Sequence, residues 1–190
     1  MGDARRAVPS DADELVRLRG LMLAGMSGVP TPPGRWQDVA RANLRTWLAE
    51  PDPWLAAFVV DAPDGASLAA CAVGTLERRL GGPDDPSGLV GYVFNVSTDP
   101  AYRRRGHSRA CLTALLAWFR DRGVRRVDLR ASAAGRPLYR ALGFRETADP
   151  AMRLTFPPQQ SFIPLAKPAT ICRRKSLCAP DPKSVIFHAP

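Results

Sequence analysis

The chain has 190 residues with an apolar fraction of 45%, enough for one domain with a substantial core. No apolar run approaches the roughly 18 residues of a membrane span, and residues 1–6 lack the apolar segment of a secretory signal. We therefore expect a cytoplasmic protein with no membrane association. The four cysteines (71, 111, 172 and 178) stand singly, at spacings that fit neither a zinc site nor a disulfide framework, so no metal is expected.

The formal net charge of +9 is unevenly distributed along the chain. Residues 1–155 contain 22 arginines and 17 acidic residues, a balance of +5, whereas residues 156–190 contain five basic residues and one acidic residue, a balance of +4. The interleaved charges before residue 156 are typical of a solvated surface with one local basic site. No zinc-finger or helix-turn-helix pattern accompanies the charge, so we do not expect nucleic acid as the main partner.

Two amphipathic helices are predicted near the N-terminus. Ser10 can cap the first helix, whose opening turn is acidic, and Leu15 and Leu18 fall on one of its faces. The second helix is predicted over residues 35–50, where apolar residues again recur at helical spacing and Pro51 ends the run.

From residue 54 the hydrophobic period changes to that of strands. The predicted strands are 54–61, 68–80, 89–98 and 126–131, and the later predicted helices are 106–122 and 136–142. The first three strands have short links and predict an antiparallel meander. Because a helix separates 89–98 from 126–131, those two strands should form a parallel crossover pair.

The junction between strand 89–98 and the following helix is the strongest functional signal. Arginines crowd the turn, Gly106 lets the backbone approach a ligand closely, and the first turn of the helix offers unpaired N–H groups with a partial positive charge. The junction therefore predicts a site for a phosphate-bearing ligand.

The same residues carry a resemblance to a known family. Residues 100–110, Pro-Ala-Tyr-Arg-Arg-Arg-Gly-His-Ser-Arg-Ala, resemble the acyl-CoA-binding motif of the GNAT superfamily of N-acetyltransferases, (Arg/Gln)-x-x-Gly-x-(Gly/Ala). Arg103, Gly106 and Ser108 occupy its three defined positions, with serine in place of the usual glycine or alanine. Residues 138–144 resemble the family's Leu-Tyr-x-x-x-Gly-Phe segment, and the likeness covers about residues 7–155.

The resemblance implies a single α/β domain. Its mixed, mostly antiparallel sheet would splay between strands 4 and 5, here 89–98 and 126–131, with helices on both faces. The implied reaction is direct transfer of an acetyl group from acetyl-CoA, the co-substrate, to a primary amine on a small molecule or peptide. The cofactor-binding residues it implies are Val96, Ser97, Thr98, Arg103, Arg104, Arg105, Gly106, His107, Ser108 and Arg109.

Tyr139 matches the family's tyrosine that protonates the departing CoA thiolate, so we expect it to be the general acid. In the alternative interpretation, Tyr139 only fills the seam between its helix and the sheet, with its hydroxyl hydrogen-bonded. Glu77 and Asp128 are the candidate general bases. The alternative for both carboxylates is a surface ion pair with the arginines near them in sequence.

The domain is predicted over residues 1–156, and residues 157–190 form a separate proline-rich tail. Residues 1–155 contain no lysine and no isoleucine, whereas residues 156–190 contain three of each and seven prolines. We hypothesise that this tail is a late or accidental extension and disordered; a natural linker or docking tail is the alternative. Two other functions stay open, a non-catalytic acyl-CoA sensor and a nucleic-acid binder using the basic turn and tail. A homodimer also stays open.

Overall fold

The structure is a computed structural model and describes residues 3–148 and 151–156. The helices are α1 (Ala12–Ser27), α2 (Arg35–Leu48), α3 (His107–Asp121) and α4 (Arg136–Ala141). The strands are β1 (Arg5–Arg6), β2 (Leu55–Asp61), β3 (Leu68–Arg78), β4 (Leu89–Thr98) and β5 (Arg126–Leu129). Short 3-10 turns at Pro9–Asp11 and Pro100–Tyr102 lead into α1 and towards α3.

The strands form one sheet in the order β1-β2-β3-β4-β5. The first three pairings are antiparallel, and β4 pairs with β5 in parallel. The predicted meander, the parallel crossover pair and the mixed sheet are therefore confirmed. The sequence did not predict β1, because two residues are too few to show the period of a strand.

β4 and β5 separate part-way along β4, which confirms the predicted splay. Their pairing runs from Val90 opposite Arg126 to Val93 opposite Leu129, whereas β4 continues to Thr98. At the same level β4 bulges against β3, because the pairing skips Phe94. A bulge increases the local bend and twist of a strand, so it turns the end of β4 away from β5.

Helices cover both faces of the sheet. α3 packs on one face through Leu112, Leu115 and Phe119, all fully buried, while α1 packs on the other through Leu15 and Leu18. Three residues of α2 pack against the core on the α1 side of the sheet: Leu44, Trp47 and Leu48. The expectation that Cys71 and Cys111 are core residues is confirmed, since both are fully buried.

The predicted cap of the first helix is wrong. Ser10 lies inside the 3-10 turn, and Asp11 stabilises this region instead, with its carboxylate accepting the Val8 N–H at 2.8 Å. Arg5 also binds both oxygens of Asp11 at 2.8 Å. A carboxylate held by an arginine is a stronger acceptor than a serine hydroxyl, which is why it takes this role.

Several predicted element ends are shorter in the structure. The second helix ends at Leu48 rather than residue 50, because the residue before Pro51 is driven out of helical conformation. β3 ends at Arg78 rather than residue 80, and β5 ends at Leu129 rather than residue 131, where β4 has bent away.

Residues 3–146 make one compact unit. Residues 147–148 and 151–156 contain no helix or strand. The predictions about 157–190 concern residues that lie outside those described. Within the described ranges, no helix combines the length and apolar character that crossing a membrane requires.

Candidate active site

The loop between β4 and α3 has a backbone shaped for an anion. Asp99 caps its first turn by accepting the Ala101 N–H at 3.0 Å. Arg104 then adopts φ 63° and Gly106 φ 82°, both left-handed. For an arginine this conformation costs about 1–2 kcal/mol, a cost typically found where a backbone is shaped for a ligand.

The loop leaves a run of backbone donors unpaired. Among the described residues, none of the N–H groups of residues 104–109 has a backbone acceptor at normal hydrogen-bond distance and angle. They surround the N-terminus of α3, where the helix dipole adds partial positive charge. Arg103, Arg104, Arg105 and Arg109 are exposed around them and form no ion pair within the described part of the chain. Successive free N–H groups with surrounding guanidinium groups fit a pyrophosphate.

The third motif position accommodates Ser108 in place of the usual glycine or alanine. Its hydroxyl is hydrogen-bonded to the Thr98 hydroxyl, which ties the last residue of β4 to the first turn of α3. The side chain is thereby directed at the strand and leaves the backbone side of the loop open. Next to it, His107 contributes its backbone to the loop, while its buried Nδ1 has no partner among the described residues.

The end of β4 offers a strand edge beside this loop. Beyond Val93, the described residues give β4 no strand partner on the side of β5. Val96 packs against the α3 core, and Ser97 is buried opposite Cys71. Alternate backbone groups of residues 94–98 therefore face the splay, where an extended ligand can hydrogen-bond to them as an added strand does.

Tyr139 lies in α4 and packs against the same core as Val96. Its ring meets the Phe144 ring edge-on, with centroids 5.9 Å apart. Gly135 makes room for it, since a Cβ there would lie 2.8 Å from Tyr139 Cε2. Its packing is what the seam-filling interpretation expects, but within the described residues its hydroxyl has no hydrogen-bond partner. Burial raises the pKa of Tyr139, so the hydroxyl keeps its proton at neutral pH.

Glu77 and Asp128 are brought together by Arg79. Its guanidinium lies 2.7 Å from Glu77 Oε2 and 3.5 Å from Asp128 Oδ2, and Arg126 Nε lies 3.7 Å from the same aspartate oxygen. Both carboxylates therefore form the surface ion pairs with nearby arginines that were the alternative to a role as general base. In the described ranges, no group of three or more His, Cys, Asp or Glu side chains could hold a metal ion.

A network that the sequence did not predict anchors the loop from α1. Arg17 donates to Asp99 Oδ2 at 2.6 Å, to Glu14 at 2.9 Å and to the Leu68 carbonyl at 3.0 Å. Glu14 in turn accepts the Leu68 N–H at 2.8 Å. Burial alone would raise the pKa of Asp99, but hydrogen bonds from Ala101 and Arg17 outweigh it and hold that pKa below its usual value. The Asp99-Pro100 pair could have been recognised in the sequence as a turn cap. No local sequence signal shows that Arg17 binds Asp99, because the two residues are 82 positions apart.

The profile of the acetyltransferase (GNAT) family matches residues 27–144. The chain belongs to the GNAT family. An aminoglycoside N(6')-acetyltransferase type 1 of Stenotrophomonas maltophilia is 29% identical to this GNAT protein over 150 residues, which span 75% of the chain and 86% of that enzyme. The [ribosomal protein bS18]-alanine N-acetyltransferase of Escherichia coli K12 is 44% identical over 57 residues, 28% of this chain and 38% of that enzyme.

Solved structures share the fold of this GNAT protein. A predicted acetyltransferase of Clostridium acetobutylicum, solved with acetyl-CoA, superposes with a TM-score of 0.69 at 24% identity, over 82% of this chain and 96% of that one. The aminoglycoside N-acetyltransferase AAC(6')-Iy, solved with CoA, gives a TM-score of 0.59 at 21% identity, over 85% and 96% of the two chains.

Proposed function

We propose that this GNAT protein transfers an acetyl group from acetyl-CoA to a primary amine. The observation that carries the proposal is the run of free N–H groups at residues 104–109, directly followed in space by the open edge of β4. The loop would hold the pyrophosphate of CoA, with Arg103, Arg104, Arg105 and Arg109 supplying charge. The strand edge would hold the pantetheine arm and align the thioester.

The reaction needs no covalent enzyme intermediate. The neutral amine nitrogen attacks the acetyl carbonyl carbon, the C–S bond breaks, and the nitrogen loses one proton while the thiolate gains one. The products are an acetamide and free CoA thiol. A backbone N–H of β4 directed at the carbonyl oxygen would stabilise the developing oxyanion, often worth roughly 3 kcal/mol in acyl transfer.

Cys71 and Cys111 do not serve as nucleophiles in this proposal. Burial raises the pKa of Cys71 to about 12 and also raises that of Cys111, so neither forms a thiolate near pH 7. Direct attack by the amine is therefore the chemistry that these residues support.

Tyr139 is proposed as the general acid. A donor for a thiolate must be protonated and free of competing acceptors, and the raised pKa and unpartnered hydroxyl of Tyr139 support both conditions. Tyr139→Phe should lower kcat by about 10²-fold while leaving acetyl-CoA affinity within about twofold, because only the proton donor is lost. Gly135→Ala keeps the hydroxyl but should displace the Tyr139 ring, because its Cβ would lie 2.8 Å from Tyr139 Cε2. A lower kcat in this variant would show that the position of the hydroxyl matters as well as its presence. An unchanged kcat in Tyr139→Phe would exclude the acid role.

Glu77 and Asp128 stay the proposed bases. Asp128 is the nearer to the splay, because it lies opposite Tyr92, two residues before the bulge, whereas Glu77 lies opposite Val90. Asp128→Asn should therefore lower kcat/KM more than Glu77→Gln does. Equal and small effects would remove both residues from the mechanism.

The function is tested by thiol release with a panel of amines. The protein is first shown to gain thermal stability from acetyl-CoA, and thiol and acetylated amine are then measured together. Equal amounts of both products are expected. Thermal protection without thiol release from any amine would instead identify an acyl-CoA sensor.

A further inference from the structure

One arginine beside the splay has no carboxylate partner within residues 3–148 and 151–156. Arg19 lies on α1 and is partly buried, and its Nη1 donates to Asn95 Oδ1 at 3.4 Å. Within the described residues this long hydrogen bond is its only polar side-chain contact. Arg17, one half-turn earlier on the same helix, binds two carboxylates and a carbonyl. A partly buried guanidinium with one weak neutral partner keeps most of its capacity to bind an anion.

Asn95 places this guanidinium at the proposed reaction centre. It directly follows Phe94, the bulged residue, and lies two residues beyond Val93, the last residue of β4 that pairs with β5. Its own side chain is fixed, since it is 3% exposed and its Nδ2 donates to Cys71 Sγ at 3.4 Å. Arg19 therefore projects from α1 to the level where β4 opens and the thioester would lie.

Arg19 lies on the face of the sheet opposite α3. On the α3 face at this level, Ala72 and Val93 are buried under Leu112 and Leu115. Asn95 points to the other face, because it lies opposite Val73, which packs in the core beneath α1. An acceptor entering from the α1 face meets Arg19.

The carboxylates on this face are already paired. Strand alternation puts Glu77 and Asp128 on the same face as Asn95, and Arg79 binds both of them. A polycationic acceptor requires free carboxylates, which this arrangement does not supply. Among the described residues, Arg19 is the charged side chain that reaches Asn95 without a carboxylate partner.

We propose that the acceptor amine carries an anionic group, a carboxylate or a phosphate, a few bonds from its nitrogen, and that Arg19 binds this group. The proposal rests on the proposed acetyl transfer and names its substrate class. Arg19 thus acts as a specificity-determining residue.

The test compares amines that differ only in the anion. Glycine is paired with glycinamide, and glucosamine 6-phosphate with glucosamine, which separates a carboxylate source from a phosphate source; spermidine represents polycations. Rates of thiol release are corrected for the fraction of neutral amine in solution. We expect kcat/KM to favour the anionic member of at least one pair by about tenfold or more, as one charge-assisted bidentate contact provides.

The variants assign that preference to Arg19. Arg19→Gln should bring the ratio within a pair close to one, mainly by lowering kcat/KM for the anionic member, and Arg19→Lys should restore part of the ratio. Arg6→Gln is the control, because Arg6 is an exposed arginine on β1 at the far edge of the sheet. Circular dichroism and unfolding midpoints verify that each variant is folded.

The outcomes separate this inference from the function on which it rests. Transfer with a preference for spermidine, or with an anion preference unchanged in Arg19→Gln, would overturn the inference and leave acetyl transfer standing. Thermal protection by acetyl-CoA with no thiol release from any amine would overturn the proposed function and this inference with it.

Discussion

Replacing Arg17 with methionine should destabilise the domain and weaken acetyl-CoA binding together. The guanidinium makes three contacts, with Asp99, Glu14 and the Leu68 carbonyl. A buried hydrogen bond to a charged group contributes about 1.5–3 kcal/mol, but the Arg17 side chain is 36% exposed, so each contact is discounted to about 1 kcal/mol. We therefore expect a loss of about 2–3 kcal/mol in the free energy of unfolding, or about 4–12 °C in Tm.

The effect on binding follows from Asp99, which caps the turn leading to the loop that we propose binds the pyrophosphate of CoA. Without Arg17, the Kd for acetyl-CoA should rise several-fold, measured by titration calorimetry and by the Tm gain that the ligand produces. Arg45→Met is the matched control, because its pair with Asp13 is more than half exposed on both sides and solvent screens it, so its loss should change stability little. An Arg17→Met protein with Tm within about 1 °C of wild type and unchanged Kd would refute this reasoning.

The pH dependence of the same network has a defined sign. The pKa of Asp99 is lower in the folded protein than its unfolded value of about 3.9, so its contribution is fully present above that value and is lost as pH falls through the folded pKa. Roughly pH 5 to 7 lies above both the folded and the unfolded pKa of Asp99. In that range the difference in unfolding free energy between wild type and Asp99→Asn should be constant, and it should shrink below about pH 4. A difference that grows on acidification would contradict the assignment.

Two further changes test the sheet and the loop. Gly91→Ala should cost about 1–3 kcal/mol of stability, since its Cβ would lie 3.0 Å from the Phe119 ring, whereas Gly25→Ala, with open space around it in α1, should add about 0.5–1 kcal/mol in the same urea titrations. Arg104→Gly should leave stability unchanged or slightly higher, because glycine adopts the positive φ of this position without strain. The same change should raise the Kd for acetyl-CoA several-fold, because one positive charge is lost. An unchanged Kd in low salt would show that the Arg104 side chain does not reach the phosphates.

Much of the fold could be predicted because the signals are local. Strand and helix periods, with prolines and glycines between them, predicted the meander, the crossover and the two helical layers, and the motif around Gly106 indicated the family. The two-residue β1 and the exact ends of β3 and β5 could not be predicted, since they depend on which neighbouring strand remains in hydrogen-bonding range.

The contacts that set the site's electrostatics are non-local and could not be predicted. Arg17 and Asp99 are 82 residues apart, and Arg19 and Asn95 are 76 apart, so no spacing pattern connects them. The environment of the Tyr139 hydroxyl, which has no partner in the described part of the chain, likewise depends on how strands and helices pack. The pairing of Glu77 and Asp128 through Arg79 depends on the same packing. Ser108 was a departure from a motif, and its hydrogen bond to Thr98 needed the structure to be understood.

The most direct test of the account is a single-turnover reaction of the intact protein with acetyl-CoA and an amine, quenched at intervals and followed by mass spectrometry of protein and products. Direct transfer predicts that CoA thiol and acetylated amine appear at the same rate, with the protein never gaining an acetyl group. Thiol release that precedes the acetylated amine, with a transient acetyl-protein, would contradict it.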